Sequence, residues 1–71
     1  MPAAVRLRAD YSASDLRRLA KGSKDTSQSR RLLSLAAIIE GWSREDAARI
    51  GGMDRQTLRD WVHRFNAFGP D

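Results

Sequence analysis

Apolar residues recur along the chain at helical spacing, and they divide it into four segments. The first lies within YSASDLRRLAKG, where Leu16, Leu19 and Ala20 form one stripe that ends at Gly22. The second runs from about Asp25 to Glu40, and its many Leu, Ile and Ala residues predict the central, most buried helix. Because no alternating strand pattern occurs, the sequence predicts an all-α domain.

The first, third and fourth helices are each predicted to begin after a residue that can cap their free amide groups. Ser12 precedes the first helix and Ser43 the third, and the Asp three positions after each serine is typical of a capping box. Asp54 precedes the fourth helix, which is predicted to run to about Phe68 and to stop at Gly69. Hydrophobic staples are predicted between Tyr11 and Leu16, Trp42 and Ala47, and Met53 and Leu58.

Two adjacent glycines, Gly51 and Gly52, separate the third helix from the fourth. Glycine is a poor helix former, but it adopts the positive φ that a sharp turn needs, and we assign that role to Gly52. The small residues Ala47 and Ala48 allow the third helix to approach the fourth closely. A short helix, a tight turn and a longer capped helix are the parts of a helix-turn-helix, predicted here over about residues 44–68.

One face of the fourth helix is predicted to lie in the core, because Leu58, Trp61, Val62 and Phe65 recur at positions i, i+3, i+4 and i+7. Trp61 lies in that stripe and Trp42 lies at a staple position. Both tryptophans are therefore interpreted as structural residues rather than as platforms for base stacking.

The opposite face of the fourth helix carries polar side chains that are suited to reading DNA. An Arg can bond to O6 and N7 of guanine, and a Gln to N6 and N7 of adenine. A step of about 100° per residue brings these side chains to one side of the helix. The candidate base-reading residues are Arg55, Gln56, Arg59 and His63.

Asp60 is an objection to this interpretation, because a carboxylate close to DNA phosphates repels them. The objection is met if Asp60 pairs with Arg64 four positions later, or if it accepts a hydrogen bond from cytosine N4. The alternative for the whole face is an ordinary solvated helix surface that reads nothing.

Length and charge favour a small domain with a polyanionic partner. The 71 residues carry a net charge of +4, and the excess lies in the first 24 residues, where six basic residues occur against two acidic ones. A chain of this size supports one small core and no deep substrate cleft. With no cysteine and one histidine, we expect no metal site. We also assign no catalytic residue, no cofactor and no small-molecule ligand.

Targeting signals and membrane spans are not evident. No apolar run approaches the roughly 20 residues of a membrane span, so we expect no membrane association and a cytoplasmic setting.

Further basic residues are candidates for contacts with phosphate, which position a protein without reading sequence. Residues 1–10 are predicted to form a basic, flexible arm ahead of a helical domain at residues 11–69, and such an arm can enter the minor groove. The candidates for arm or phosphate contacts are Arg6, Arg8, Arg30, Arg31, Arg44, Thr57 and Arg64.

The run AARIGGMDRQTLRDWVHRFNAFGPD, with SRRLLSLAAIIEGWSRED and YSASDLRRLAK before it, resembles the amino-terminal DNA-binding region of bacterial insertion-sequence transposases in the mariner-like superfamily. The resemblance covers nearly the whole chain. It implies a homeodomain-like domain that binds double-stranded DNA at the terminal inverted repeats of a mobile element, with residues 55–68 in the major groove. It also implies a bacterial, nucleoid-associated protein.

The resembled transposases cut DNA in a separate domain, where carboxylates bind two Mg²⁺ ions. The residues of that domain are not found in this chain, so we expect the chain not to be an enzyme itself.

Two other functions stay open. A stand-alone helix-turn-helix transcriptional regulator would share the fold but should dimerise on spaced half-sites. A helical protein-interaction module would instead use an exposed apolar patch of Trp42, Phe68 and Ile38 or Ile39. Neither the oligomeric state nor the DNA target follows from the sequence.

Overall fold

The computed structural model describes residues 6–70, which form four α-helices. They are α1 (Ala13–Gly22), α2 (Thr26–Ile39), α3 (Arg44–Ile50) and α4 (Arg55–Phe68). Each lies where the apolar pattern predicts a helix, and the range from residue 6 to residue 70 contains no strand. The predicted all-α, four-helix fold with a helix-turn-helix is confirmed.

The core is built around α2, which packs against α1, α3 and α4. The predicted central position of this helix is therefore confirmed. Its buried face includes one polar residue, Ser34, whose side chain is fully enclosed. The buried apolar residues are Leu16 and Ala20 of α1, Leu32, Leu35, Ala36 and Ala37 of α2, Ala47 and Ala48 of α3, and Leu58, Val62 and Phe65 of α4.

Two of the predicted serine caps begin α1 and α3. The backbone N–H of Asp15 donates to Ser12 Oγ at 3.1 Å, and the N–H of Ser12 donates to Asp15 Oδ2 at 3.0 Å, so the capping box is complete. These bonds hold the pKa of Asp15 below its usual value. In α3 the N–H of Asp46 donates to Ser43 Oγ at 3.1 Å, but the Asp46 carboxylate lies 3.7 Å from Arg49 Nη1, and only this half of the predicted capping box is formed.

Several apolar side chains are less buried than their helical spacing predicts. Trp42, the predicted staple partner of Ala47, is 52% exposed, so about half of it is open to solvent. Gly41, with φ of 97°, turns the chain sharply, and Trp42 donates its N–H to the oxygen of Ala37. Leu19 is also exposed, because α1 packs against α2 alone among the described helices.

The turn between α3 and α4 contains the two glycines in different roles. Gly52 has φ of +68°, as predicted, and its N–H donates to the oxygen of Arg49 at 3.1 Å. The N–H of Met53 donates to the oxygen of Ala48 at 3.0 Å, which completes a Schellman-type ending for α3. Gly51 has an ordinary helical φ but is buried, so its lack of a side chain matters for packing.

The described part of the amino-terminal segment is attached to the carboxyl-terminal half of α4. The side chain of Asn66 binds the main chain of this segment at two points. Its Nδ2 donates to the oxygen of Arg6 at 2.8 Å, and its Oδ1 accepts from the N–H of Arg8 at 2.8 Å. The ring of Tyr11 then packs against Phe65, with 5.8 Å between centroids. The first five residues of the predicted arm lie outside the described residues.

Candidate nucleic-acid interface

The surface of interest is the outward face of α4, which we call the reading face, and we define it by Arg55, Gln56, Arg59 and His63. All four side chains are exposed. The helix is held in place from the other side by Leu58, Val62 and Phe65, which are at most 2% exposed. The structure thus brings together the four side chains that the sequence pattern places on one side.

The side chains of the reading face have no intramolecular partner within residues 6–70: none of the hydrogen bonds or ion pairs in that range includes them. Other arginines do have partners there. Arg17 forms a bidentate pair with Glu40, and Arg49 lies 3.7 Å from both Glu45 and Asp46. The donors of Arg55 and Arg59 therefore remain available to an external acceptor.

Asp60 lies on the same side of the helix, and it does not pair with Arg64 in the described part of the chain. Arg64 instead places its guanidinium over the ring of Trp61, with Cζ 5.6 Å from the centroid. The ion pair that would meet the objection to Asp60 is therefore not formed among these residues, since the Arg64 guanidinium lies over the ring one turn back. Asp60 remains exposed and next to the reading face.

Trp61 is only half-buried, so the prediction that it belongs to the core is wrong. Its ring lies at the edge of the α4 core stripe and is covered by an arginine from another helix, since Arg31 Cζ of α2 is 4.0 Å from the ring centroid. Together with Arg64, this gives one ring with two guanidinium groups around it. The stripe position predicts an apolar neighbour for Trp61, whereas the actual neighbour is a cation.

The remaining phosphate candidates are distributed around the helix-turn-helix. Arg30 and Thr57 are exposed, and Thr57 donates its backbone N–H to the Asp54 cap at 2.7 Å. Arg44, the first residue of α3, is half-buried, and this burial lowers the pKa of its guanidinium. The Arg6 side chain is exposed, while its main chain is held by Asn66.

Arg8 contributes to the fold rather than to an open basic surface. Its Nε and Nη2 donate to the two oxygens of Asp10 at 2.7 and 2.8 Å, which holds the pKa of Asp10 below its usual value. Its guanidinium also lies 5.6 Å from the Tyr11 ring centroid. The hydrogen-bonding capacity of Arg8 is therefore largely used inside the domain.

Asp54 fixes the start of α4 and with it the first turn of the reading face. Its Oδ1 accepts from the N–H of Thr57, and this bond lowers the pKa of the carboxyl from its usual 3.8. The folded-state pKa is thus depressed. The cap stabilises the fold when Asp54 is ionised, and the stabilisation is lost as pH falls through the folded-state pKa.

We expect Asp54→Ala to lower Tm at neutral pH, and Asp54→Asn to keep most of it because Asn is also a good cap. Circular-dichroism melts at about pH 7 and about pH 3 measure the acid effect. Other carboxylates titrate as well, so the comparison is between variants: wild type should lose more Tm on acidification than Asp54→Asn does. Equal losses would contradict the assigned role of the carboxylate.

The sequence did not indicate the structural roles of two residues near the interface. Asn66 connects the amino-terminal segment to α4, and Ser34 lies beneath the turn. Neither has a local sequence signal, because Asn66 binds Arg8, 58 positions away, and Ser34 lies against Gly51, 17 positions away. For Trp61, the arginine three positions later was a visible signal of ring stacking.

Among the described residues, no group of three or more His, Asp or Glu side chains is arranged to hold a metal ion. In the same range, no helix combines the length and apolar character that crossing a bilayer requires.

Comparisons with known proteins agree with this geometry. A family model described as a helix-turn-helix domain matches residues 30–71, which contain most of α2 and all of α3 and α4. Over all 71 residues, the chain is 58% identical to "Uncharacterized protein y4pG/y4sC" of Sinorhizobium fredii (strain NBRC 101917 / NGR234). The chain spans 37% of the length of that relative. No solved structure matches the chain.

Proposed function

We propose, since the chain belongs to the helix-turn-helix domain family, that it binds double-stranded DNA sequence-specifically with α4 in the major groove. The observation that carries this proposal is the reading face. Arg55, Gln56, Arg59 and His63 are exposed on one side of a rigidly packed helix and have no partner within residues 6–70. Arg and Gln are also the side chains that best match guanine and adenine edges.

The position of these residues along α4 supports base contact. Arg55, Gln56 and Arg59 lie in the first two turns, and the amino-terminal part of a recognition helix approaches base edges most closely. His63 lies one turn further on. Phosphate contacts are proposed for the basic and polar residues around this helix, namely Arg6, Arg30, Arg31, Arg44, Thr57 and Arg64. Arg8 is not among them, because its guanidinium is already paired with the carboxylate of Asp10.

Asp60 has a defined part in this proposal. Since it is exposed and lacks an ion-pair partner within residues 6–70, its carboxylate is available to accept from cytosine N4 in the major groove. Where no cytosine is present, it repels the duplex. Asp60 would thus favour cognate over random DNA.

The test is selection of duplexes from a random library, followed by titration of the selected duplex and a scrambled one. We expect Arg59→Ala and Gln56→Ala each to reduce the preference for the selected duplex by about 1 to 3 kcal/mol, because each removes a bidentate base contact. Arg49→Gln is the matched control for Arg59→Ala. It removes the same charge from an exposed arginine on α3 that faces Glu45 and Asp46.

The preference should be unchanged in Arg49→Gln. If Arg59→Ala and Gln56→Ala weaken both duplexes equally, base reading by these two residues is rejected. If no duplex is enriched and wild-type binding is still salt-sensitive, the domain holds only the phosphate backbone.

The finer proposal is that this DNA-binding domain targets a transposase to the terminal inverted repeats of a mobile element. Its support is the resemblance of the sequence to such amino-terminal domains, together with a relative of which this chain spans only 37%. A longer protein has room for a separate domain that would act on the bound DNA. The selected motif should then occur in inverted repeats that flank a mobile element; single sites upstream of genes would favour a regulator.

A protein-interaction module remains the second candidate because two side chains of the apolar patch that it would use are exposed. Trp42 is 52% and Phe68 is 75% exposed, although Ile38 and Ile39 pack partly against the core. The dependence of binding on salt concentration distinguishes the two functions. DNA binding weakens steeply as ionic strength rises, whereas an apolar protein interface responds little.

A further inference from the structure

Trp61 brings together two arginines from different helices. The guanidinium carbon of Arg31, on α2, lies 4.0 Å from the ring centroid, and that of Arg64, on α4, lies 5.6 Å from it. The two carbons can be no farther apart than the sum of these distances. Two like charges are thus gathered around one half-buried ring, on the flank of α4 between its exposed side and its core.

Neither arginine is neutralised inside the described part of the chain. None of the ion pairs among the described residues includes Arg31 or Arg64. An aromatic face attracts a guanidinium but leaves the N–H donors at the edge of the guanidinium plane free. These donors form the planar fork that matches two oxygens of a phosphate.

We propose that Trp61 is a positioning residue which orders Arg31 and Arg64 into one clamp for a phosphate of the DNA backbone. This inference rests on the proposed function, because the clamp needs a strand beside α4. Trp61 follows Asp60 directly in α4, so its ring lies between the exposed side of the helix and the core. A helix seated in the major groove has a backbone strand along such a flank.

A shallow groove continues from the clamp toward the end of α4. Trp61 and Arg64 line it together with Asp60, His63, Ala67 and Phe68. Its walls are mostly apolar, which suits the deoxyribose that adjoins a bound phosphate. The clamp therefore fits a sugar-phosphate strand, and an acidic segment of a protein is the competing occupant that the experiment addresses.

The test is the dependence of the binding constant on salt concentration, measured for the full chain with the selected and the scrambled duplex. Each phosphate contact contributes about 0.9 to the slope of log K against log salt. We expect Arg31→Ala and Arg64→Ala each to reduce the slope by about 1 on both duplexes, and Arg49→Gln to reduce it less. Trp61→Leu should also reduce it, although the net charge is unchanged, and Trp61→Phe should largely keep it.

Helicity and Tm, measured by circular dichroism, show whether Trp61→Leu is folded. If it is not, Arg31→Lys decides, because lysine keeps the charge but lacks the planar group that stacks on the ring. The clamp requires a smaller slope in Arg31→Lys than in wild type. A slope fully retained in Arg31→Lys, or in folded Trp61→Leu, overturns the role of Trp61.

The outcomes also separate this inference from the proposed function. If wild type shows no salt-dependent duplex binding, the proposed function fails and the clamp fails with it. If Arg59→Ala loses selectivity while Arg31→Ala and Arg64→Ala leave the slope unchanged, DNA reading stands and the phosphate clamp is rejected. That second result would leave the arginine pair to an acidic protein segment.

Discussion

Replacing Gly51 by alanine is expected to lower the free energy of unfolding by about 3 kcal/mol, the upper part of the usual range for overpacking. A Cβ atom at this position would overlap Ser34 Oγ, and it would lie 2.7 Å from Met53 Cε and 3.1 Å from the oxygen of Arg30. The Met53 methyl can move, but the other two groups belong to α2. Either the Ser34 side chain would have to rotate within the core, or the turn and α2 would have to separate.

Ser34 allows this explanation to be tested directly. Its hydroxyl is completely buried and has no hydrogen-bond partner within residues 6–70. Ser34→Ala alone should be neutral or stabilising by about 1 kcal/mol, because an unpaired buried polar group costs free energy. In the Gly51→Ala background it should recover more than that, since it also removes the overlapping atom.

Chemical denaturation of wild type, the two single variants and the double variant gives the coupling free energy. Residues in contact show coupling of about 0.5 to 3 kcal/mol, and we expect a value in that range with a favourable sign. Strict additivity of the two substitutions would contradict the contact. An unchanged stability in Gly51→Ala would contradict the close approach of the turn to α2.

Replacing Gly52 by valine is expected to destabilise the fold by about 1 to 3 kcal/mol for a different reason. The position has φ of +68° and open space around its α-carbon, so the cost arises from the backbone conformation and not from packing. A β-branched side chain tolerates positive φ badly. Gly52→Asn should cost less, because asparagine visits the left-handed region more readily.

Gly22→Val is the matched control for Gly52→Val. Gly22 is the last residue of α1, it also has open space around its α-carbon, and its φ is not positive. Valine there should change Tm little. Equal Tm losses at the two positions would show that the left-handed conformation of Gly52 is not the source of its effect.

The two predictions concern function as well as stability, because Gly51 and Gly52 set the angle between α3 and α4. The side chains of the reading face lie on the helix that follows this turn. A folded variant with a shifted turn should therefore bind the selected duplex more weakly while retaining its affinity for random DNA.

Local chemistry made a large part of this fold predictable. Ser12 with Asp15, and Asp54 with the amide of Thr57, are interactions over three positions, so the residue types and spacing contain all the needed information. The positive φ of Gly52 is also a feature that the local sequence predicts. Helical periodicity likewise places Leu58, Val62 and Phe65 on one face.

The sequence predictions that the structure corrects concern residues at the edges of the predicted helix faces. Periodicity gives the direction of Trp61 around α4, but it does not say that Arg31 of α2 occupies the space in front of the ring. Likewise, Arg64 had two potential neighbours within one turn, Asp60 and Trp61, and its guanidinium lies over the ring of Trp61. Trp42, in the turn after α2, is 52% exposed, which its predicted staple position does not indicate.

The order and limits of the helices, their caps, the turn and the polar character of the reading face were thus encoded in short-range patterns. Tertiary packing decided three other features: the close contact of Gly51 with Ser34, the attachment of the amino-terminal segment through Asn66, and the arginine pair around Trp61. Hydrogen bonds within a helical turn depend on neighbours in sequence. Contacts between helices depend on distances that are fixed only when the core forms.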